Sequence, residues 1–224
     1  MVGESGSALV TVAHGTRRTS GNEVAREITE RAAERLGVPG TAAYVELCDP
    51  LLSDVAASAE QPLVVVPLLL STGFHVRTDL PEAVAEASVP VALGGSFGPD
   101  PLLAQAQVAR LLEAGAEPGQ RVVLVAAGSS DPDATRDQLG AVALLARAWD
   151  GQVDLAVLSG RGPRIAEVVR PGDAVSPYLL SPGFFSERVA TEAPDCLVAD
   201  VIGAHEHVVE LVVQRATALG LAPA

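Results

Sequence analysis

The sequence predicts an α/β protein made of two similar parallel-sheet domains. Three observations lead to this fold class. Apolar runs of strand length alternate with helical patterns along all 224 residues, most of these runs are apolar at consecutive positions, and the series starts again near residue 121. Because a strand that is buried on both faces is apolar throughout, such runs are typical of a parallel sheet covered by helices.

The first series of elements begins with the run "ALVTVA" and includes the longest run, "PLVVVPLLL". The predicted strands of this series are 8–13, 42–47, 62–70 and 89–95. A helical pattern follows each strand, and the predicted helices are 22–36, 50–59, 80–87 and 101–114. Strands that alternate with helices in this way predict parallel crossover connections.

The second series follows the Gly- and Pro-containing spacer "EAGAEPGQ", which is the candidate domain boundary. Its predicted strands are 121–128, 153–160, 173–183 and 196–203. Its predicted helices are 134–148, 163–169, 185–191 and 206–219. We therefore expect an N-terminal domain over 7–116 and a C-terminal domain over 119–222.

The two series share short sequence motifs, which indicates an internal duplication. "VAHGT" aligns with "VAAGS" at an offset of 113 residues, and "ELCDP" aligns with "SGRGP" at the same offset. "PLLLSTGFH" aligns with "PYLLSPGFF" at an offset of 110. Since ligands of parallel α/β sheets bind at the carboxyl ends of the strands, we expect an active-site cleft between the strand ends of the two domains.

Composition limits the classes of partner. The formal net charge of −13 argues against binding to nucleic acid or to an anionic membrane, because phosphate binding needs a basic face. The N-terminus has no basic segment before an apolar core, and no apolar run approaches the roughly 20 residues that span a bilayer, so we expect a cytoplasmic protein. Cys48 and Cys196 lack metal-ligand spacing and are expected to be small buried apolar residues.

Three polar residues of the first half are predicted at strand ends. His14 follows the first strand, Glu46 ends the second, and His75 comes after the third. Two imidazoles and a carboxylate suit divalent Fe, Co, Ni or Zn, and they also suit proton transfer near neutral pH. The aligned positions of the second half lack these groups, so the fold does not require them; these positions are Ala127, Ser159 and Phe185. We expect Phe185 to line the cleft as an apolar wall.

Other polar residues near these positions have two interpretations each. Arg17, Arg18 and Arg77 are solvated surface residues by default, but their proximity to the histidines suggests an anionic ligand. Asp79 is most simply a helix N-cap before Pro81, although it could also orient His75.

A histidine pair near the C-terminus is a weaker candidate. His205 and His207 are two residues apart at a predicted helix start, a spacing at which helical side chains do not face each other. We therefore do not expect a metal site there.

Three stretches resemble the sirohydrochlorin chelatases, a family of type II chelatases whose long form is itself duplicated. They are "VAHGTR", "YVELCDP" and "VVVPLLLSTGFHVRTDLP". The resemblance implies that His14, Glu46 and His75 handle the metal and carry catalysis, and it is compatible with binding of substrate carboxylates by the three arginines.

The implied reaction is insertion of Fe²⁺ or Co²⁺ into sirohydrochlorin, on the way to sirohaem or cobalamin. The metal is then a substrate, no cofactor is permanently bound, and the protein is a monomer or a homodimer. A metal or tetrapyrrole carrier without turnover remains the alternative.

Overall fold

The first sheet in the computed structural model, which describes residues 6–221, has four parallel strands in the order β2-β1-β3-β4. Its strands are β1 (Ala8–Ala13), β2 (Gly40–Tyr44), β3 (Leu63–Pro67) and β4 (Val91–Leu93). The connecting helices are α1 (Thr19–Leu36), α2 (Leu52–Ala57) and α3 (Leu80–Val84), and one turn of π-helix at His75–Asp79 leads into α3. The central strand β1 pairs with β2 and β3 along its length.

The second sheet repeats this arrangement in the order β6-β5-β7-β8, again with parallel pairing throughout. Its strands are β5 (Val122–Ala126), β6 (Val153–Val157), β7 (Ala174–Tyr178) and β8 (Leu197–Val198). The remaining helices are α4 (Pro101–Glu113), α5 (Pro132–Trp149), α6 (Ile165–Val168), α7 (Phe184–Glu192) and α8 (Glu206–Ala218). The predicted α/β fold with two duplicated parallel sheets is confirmed.

Each sheet has an apolar core. β5 and β7 are buried at every position, and β3 is buried along its whole length. One cluster of buried residues joins β1 and β3 to α2 and α3 through Val10, Val65, Leu52 and Leu80. Because consecutive strand residues are buried, each sheet is covered on both faces, as the continuous apolar runs predicted.

The chain divides into two compact units. Within the described residues, the first contains 6–69, 74–97 and 209–221, and the second contains 70–73 and 98–208. Helix α4 therefore belongs to the second unit, where it packs on β7 and α5 and where the Gln107 side chain donates a buried hydrogen bond to Ser176 (2.8 Å). The units thus differ from the repeat ranges at α4 and α8, and the domain limits 7–116 and 119–222 stay a prediction.

Both sheets have strands that end earlier than the apolar runs predicted. The predicted ranges 62–70 and 173–183 shorten to Leu63–Pro67 and Ala174–Tyr178. Every second residue of β3 hydrogen-bonds to β4: the Leu63 N–H donates to the Pro90 carbonyl, and the Val65 carbonyl accepts from the Gly94 N–H. The next residue in this series is Pro67, which has no N–H, so the pairing with β4 stops there. Pro177 stands at the same position in the second sheet, so β4 and β8 are short for the same reason.

The structure also tests two expectations from composition, the burial of the cysteines and the lack of a membrane-spanning segment. Cys48 and Cys196 are unpaired by disulfides and partly exposed, so the prediction that both are buried is wrong. Burial of the Cys196 thiol still raises its pKa. Among residues 6–221, no helix has the length and apolar character needed to cross a membrane.

Candidate metal centre

The loop after β1 brings His14 against the loop after β2. The Glu46 N–H donates to the His14 carbonyl (3.1 Å), which extends the β1–β2 pairing beyond the strands. Gly15 has φ +94°, and a Cβ there would lie 1.9 Å from the Glu46 carbonyl oxygen. The close approach of the two loops therefore requires glycine at position 15.

Asn22, near the start of α1, fixes the loop after β1 through its side chain. Its Oδ1 accepts from the Thr16 N–H (3.1 Å) and its Nδ2 donates to the Thr16 carbonyl (2.7 Å). The buried Tyr44 hydroxyl donates to the Asn22 carbonyl (3.1 Å). Sequence reasoning missed Asn22; the available signal was a polar residue on the buried face of an amphipathic helix, which needs a specific partner.

His75 is the first residue of the π-helical turn, and Asp79 is the last. Asp79 Oδ2 lies 2.5 Å from His75 Nδ1. Asp79 has helical φ and ψ angles and makes no side-chain cap hydrogen bond, so the prediction that it is an N-cap is wrong and the alternative, that it orients His75, is what the structure shows. An ionised carboxylate accepts only, so it fixes the proton on Nδ1 and leaves Nε2 available to a ligand.

The three predicted ligands come together in the first unit. His14 Nε2 lies 3.6 Å from Glu46 Oε1, and the rings of His14 and His75 are perpendicular with centroids 4.8 Å apart. One ligand atom from each of the three residues lies within 4.8 Å of the other two. The side chains of His14 and Glu46 are 49% and 52% exposed, so the group is open to solvent.

These distances suit a loosely held ion. A tetrahedral site with metal–nitrogen bonds near 2.1 Å places neighbouring donors about 3.4 Å apart, so the separations here leave room for an ion with further ligands. Two nitrogen donors and one oxygen donor also leave coordination positions open, because none of the three side chains is buried. Such a site can take up and release a divalent first-row metal.

The second repeat has the same two loops after its first two strands, without the donors. Gly128 has φ +86°, and a Cβ there would lie 1.9 Å from the Ser159 carbonyl oxygen, as at Gly15. The Ser159 N–H donates to the Ala127 carbonyl (3.0 Å), as Glu46 does to His14. Phe185 is 38% exposed at the start of α7, outside the core of its unit. The donors are therefore additions to a scaffold that forms without them; the aligned residues are Ala127, Ser159 and Phe185.

The three arginines have exposed side chains. Arg17 and Arg18 lie in the loop that carries His14, and Arg77 lies in the middle of the π-helical turn that carries His75. The Arg18 N–H donates to the Thr16 hydroxyl (3.2 Å), which fixes the backbone there. The loops that hold the metal-ligand candidates therefore also present guanidinium groups.

The second pair of histidines approaches more closely than its spacing predicts. The ring centroids of His205 and His207 are 5.0 Å apart, because His205 precedes α8 and its Nδ1 accepts from the His207 N–H (3.2 Å). Among residues 6–221, the one cluster of three metal-binding side chains is that of His14, Glu46 and His75. His205 and His207 instead make a local hydrogen bond at the start of α8.

Comparisons with known proteins agree with the fold and with the duplication. The chain matches the CbiX family twice, over residues 8–114 and 121–219. It is 30% identical over 227 residues to the sirohydrochlorin ferrochelatase of Bacillus subtilis, which covers 90% of this chain and 87% of that protein.

Solved structures of sirohydrochlorin chelatases are also similar. SirB from Bacillus subtilis with Fe³⁺ superposes with a TM-score of 0.82 at 26% identity, covering 98% of this chain and all of that one. The SirB chelatase of Bacillus subtilis subspecies spizizenii in complex with cobalt gives 0.80 at 27% identity, covering 96% and 95%. With the family matched on both halves, the chain belongs to the CbiX family of sirohydrochlorin chelatases, in its long, internally duplicated form.

Proposed function

We propose that this protein inserts Fe²⁺ or Co²⁺ into sirohydrochlorin and that His14, Glu46 and His75 carry the reaction. One observation supports this assignment most strongly. The three donors lie within 4.8 Å of one another, and the two loops that carry His14 and Glu46 are repeated without donors in the second half. The metal is a substrate that the three side chains hold before its transfer.

The His75 ring is the best oriented of the three donors. Because Asp79 holds Nδ1, the ring presents Nε2 to the ion. His14 and Glu46 complete the set from two neighbouring loops. Three donors on an open rim bind the ion less tightly than a closed four-ligand site, which lets the ring nitrogens replace them one at a time.

Insertion also releases two protons. Metal-free sirohydrochlorin carries two pyrrole N–H groups, and the product carries the metal on all four nitrogens. A neutral imidazole or a carboxylate can accept each proton, and His14 and Glu46 are both half exposed and 3.6 Å apart. As the ion leaves His14 and Glu46, their lone pairs become free to take the protons and pass them to solvent.

The arginines bind the periphery of the substrate in this proposal. Sirohydrochlorin is rich in carboxylates, and the protein as a whole has a net charge of −13, so a general attraction does not hold the ring. Arg17, Arg18 and Arg77 supply local positive charge on the loops of the site, and a guanidinium pairs with a carboxylate through two parallel hydrogen bonds.

An anaerobic assay tests the proposed function. Protein at catalytic concentration is mixed with excess sirohydrochlorin and Fe²⁺ or Co²⁺, and insertion is followed by the visible absorbance of the ring. We expect many turnovers per protein, whereas a carrier would give a change that stops at one equivalent. His75→Ala should lower the rate at least 100-fold, since the oriented donor is lost.

A matched control separates loss of the site from loss of the fold. His207→Ala removes a histidine outside the cluster and should keep the parental rate. Parental turnover by His75→Ala, or a change limited to one equivalent in the parent, would contradict the proposal.

A further inference from the structure

Leu47 adopts a backbone conformation that leucine disfavours. Its φ is +67°, in the left-handed region, where the Cβ crowds the following carbonyl. Among residues 6–221, Asp150 is the other non-glycine residue with positive φ, and it ends α5 in the left-handed cap conformation that short polar residues tolerate. A leucine has no such local compensation.

The second repeat shows which residue this position suits. Gly160 aligns with Leu47 at the same offset of 113 as the neighbouring motif, and its φ is +66°. A Cβ at Gly160 would lie 2.3 Å from the carbonyl oxygen of Ser129, which accepts a hydrogen bond from the Arg161 N–H (2.8 Å). The scaffold therefore takes glycine here, and the first repeat departs from it.

The first repeat makes room for the leucine in a specific way. Thr16 is the counterpart of Ser129, and its carbonyl is bound by the side chain of Asn22. That carbonyl is thus satisfied from α1 and does not depend on the loop after β2.

Burial of the leucine side chain in the protein core does not offset this strain. Its side chain is 49% exposed, whereas Leu52 a few residues later is 1% exposed in the core. It directly follows Glu46 in the chain, so an exposed apolar residue is the neighbour of a proposed metal ligand. Phe74, which precedes His75, is also exposed, but Phe184 is equally exposed at the aligned position, so Phe74 does not distinguish the two repeats.

We propose that Leu47 contacts the apolar surface of the sirohydrochlorin macrocycle and positions the ring over His14 and Glu46. This inference rests on the proposed function and extends it to substrate recognition. The strain in the free protein is offset when the ring covers the side chain, because burial of the exposed half of a leucine then contributes to binding. Leu47 makes a contact and takes no part in the chemistry.

The test uses Leu47→Gly in the full-length protein. Glycine relieves the backbone strain, so the melting temperature should equal or exceed that of the parent, which a merely structural role would not allow. The dissociation constant of metal-free sirohydrochlorin, measured by the change in its fluorescence, should rise about tenfold. KM for sirohydrochlorin should rise similarly, while the affinity for Co²⁺ alone stays parental.

Two further variants sharpen the result. Leu47→Asn keeps a side chain that tolerates positive φ but lacks the apolar contact, and it should weaken ring binding as glycine does. Leu112→Ala removes an equally exposed leucine from α4 and should leave both constants unchanged.

Each outcome has a separate meaning. If the parent turns over sirohydrochlorin and Leu47→Gly keeps the parental dissociation constant and KM, the role of Leu47 is overturned and the proposed function stands. If Leu47→Gly instead dissociates a dimer in sedimentation without changing KM, the residue belongs to an interface between copies and the inference is also overturned. If the parent neither binds nor metallates sirohydrochlorin, the proposed function fails and the inference fails with it.

Discussion

Asp79 Oδ2 lies 2.5 Å from His75 Nδ1, and both residues lie on a single π-helical turn. The second repeat continues as ordinary α-helix at this place and has Val189, fully buried, where the first has Asp79. π-Helical turns within helices are frequent at functional sites. The first repeat therefore differs from the second at this place both in its backbone and in the carboxylate that contacts the imidazole.

Replacing Asp79 tests whether it acts through His75. Asp79→Asn keeps the size of the side chain but removes the charge and one acceptor, so the His75 ring loses its fixed tautomer. We expect the affinity for Co²⁺ or the turnover rate to fall about 10–100-fold, the range typical for partners of metal-binding histidines. Titration of the visible absorption of bound Co²⁺ measures the first quantity.

A double-mutant cycle gives the control for Asp79. In a His75→Ala background, Asp79→Asn should have no further effect, because its action passes through the ring. Glu82→Gln changes an exposed carboxylate in the first turn of α3 and should bind Co²⁺ as the parent does. Additive losses in the double variant would show that Asp79 acts elsewhere.

Much of this site follows from the sequence because it depends on topology. The carboxyl ends of neighbouring parallel strands meet at one edge of a sheet, so residues that follow the first three strands converge even when their exact positions are uncertain. β2 ends at Tyr44, two residues before Glu46, and β3 ends at Pro67, eight before His75, yet both residues lie close to His14.

Other features of the site depend on contacts that periodicity does not encode. A helical pattern of 3.6 residues does not distinguish a π-helical turn from an α-helical one. The sequence therefore left two alternatives for Asp79, a helix N-cap or a group that orients His75. The clamp of Asn22 on Thr16 joins a helix to a loop through a side chain. Likewise, the apolar face of α4 shows that the helix is buried, but not that it packs on β7 of the other repeat.

Chelation should reveal whether the metal has a structural role. His14, Glu46 and His75 lie outside the apolar cores of both sheets, and none of the three is buried. EDTA should therefore leave the melting temperature unchanged. Added Co²⁺ at 100 times its dissociation constant should stabilise the parent by about 2.7 kcal/mol and should not stabilise His75→Ala to this extent.

The contrary result for chelation is equally clear. A fall in melting temperature on treatment with EDTA, restored by Co²⁺, would mean that the ion holds the fold together. The ion would then be a resident structural metal and not a substrate.

The glycine pair at positions 15 and 128 separates stability from activity. Gly15→Ala and Gly128→Ala each force a Cβ to within 1.9 Å of a carbonyl oxygen at positive φ, so both should lower stability by at least about 1 kcal/mol. In a chain of this size that corresponds to a fall in melting temperature of at least roughly 2–4 °C. Differential scanning calorimetry measures both.

Only the change at Gly15 should also displace metal ligands, since the carbonyl it pushes belongs to Glu46. At a temperature where both variants are folded, Gly15→Ala should lose Co²⁺ binding and Gly128→Ala should retain it. Equal loss of Co²⁺ binding in the two variants would show that the second loop also supports the site.

Alkaline pH should destabilise the second unit through Tyr178. Its buried hydroxyl donates to the Leu70 carbonyl (3.2 Å), and burial, with the nearby carboxylates of Asp137 and Asp100, raises its pKa well above the ordinary value near 10. Above pH 10 the unfolded chain loses this proton while the folded chain keeps it. The free energy of unfolding should therefore fall by about 1.4 kcal/mol per pH unit from this group.

The sequence simplifies this measurement, because all 15 basic side chains are arginine and no lysine titrates in the same range. The Cys196 thiol contributes equally to the parent and to a Tyr178 variant, so the comparison of the two isolates the tyrosine. Tyr178→Phe loses the hydrogen bond to Leu70 and should be less stable by about 1 kcal/mol at pH 8. Its free energy of unfolding, from urea titrations between pH 8 and 11, should then decline less steeply than that of the parent. Parallel pH profiles for the two proteins would show that Tyr178 ionises as readily in the folded chain as in the unfolded one.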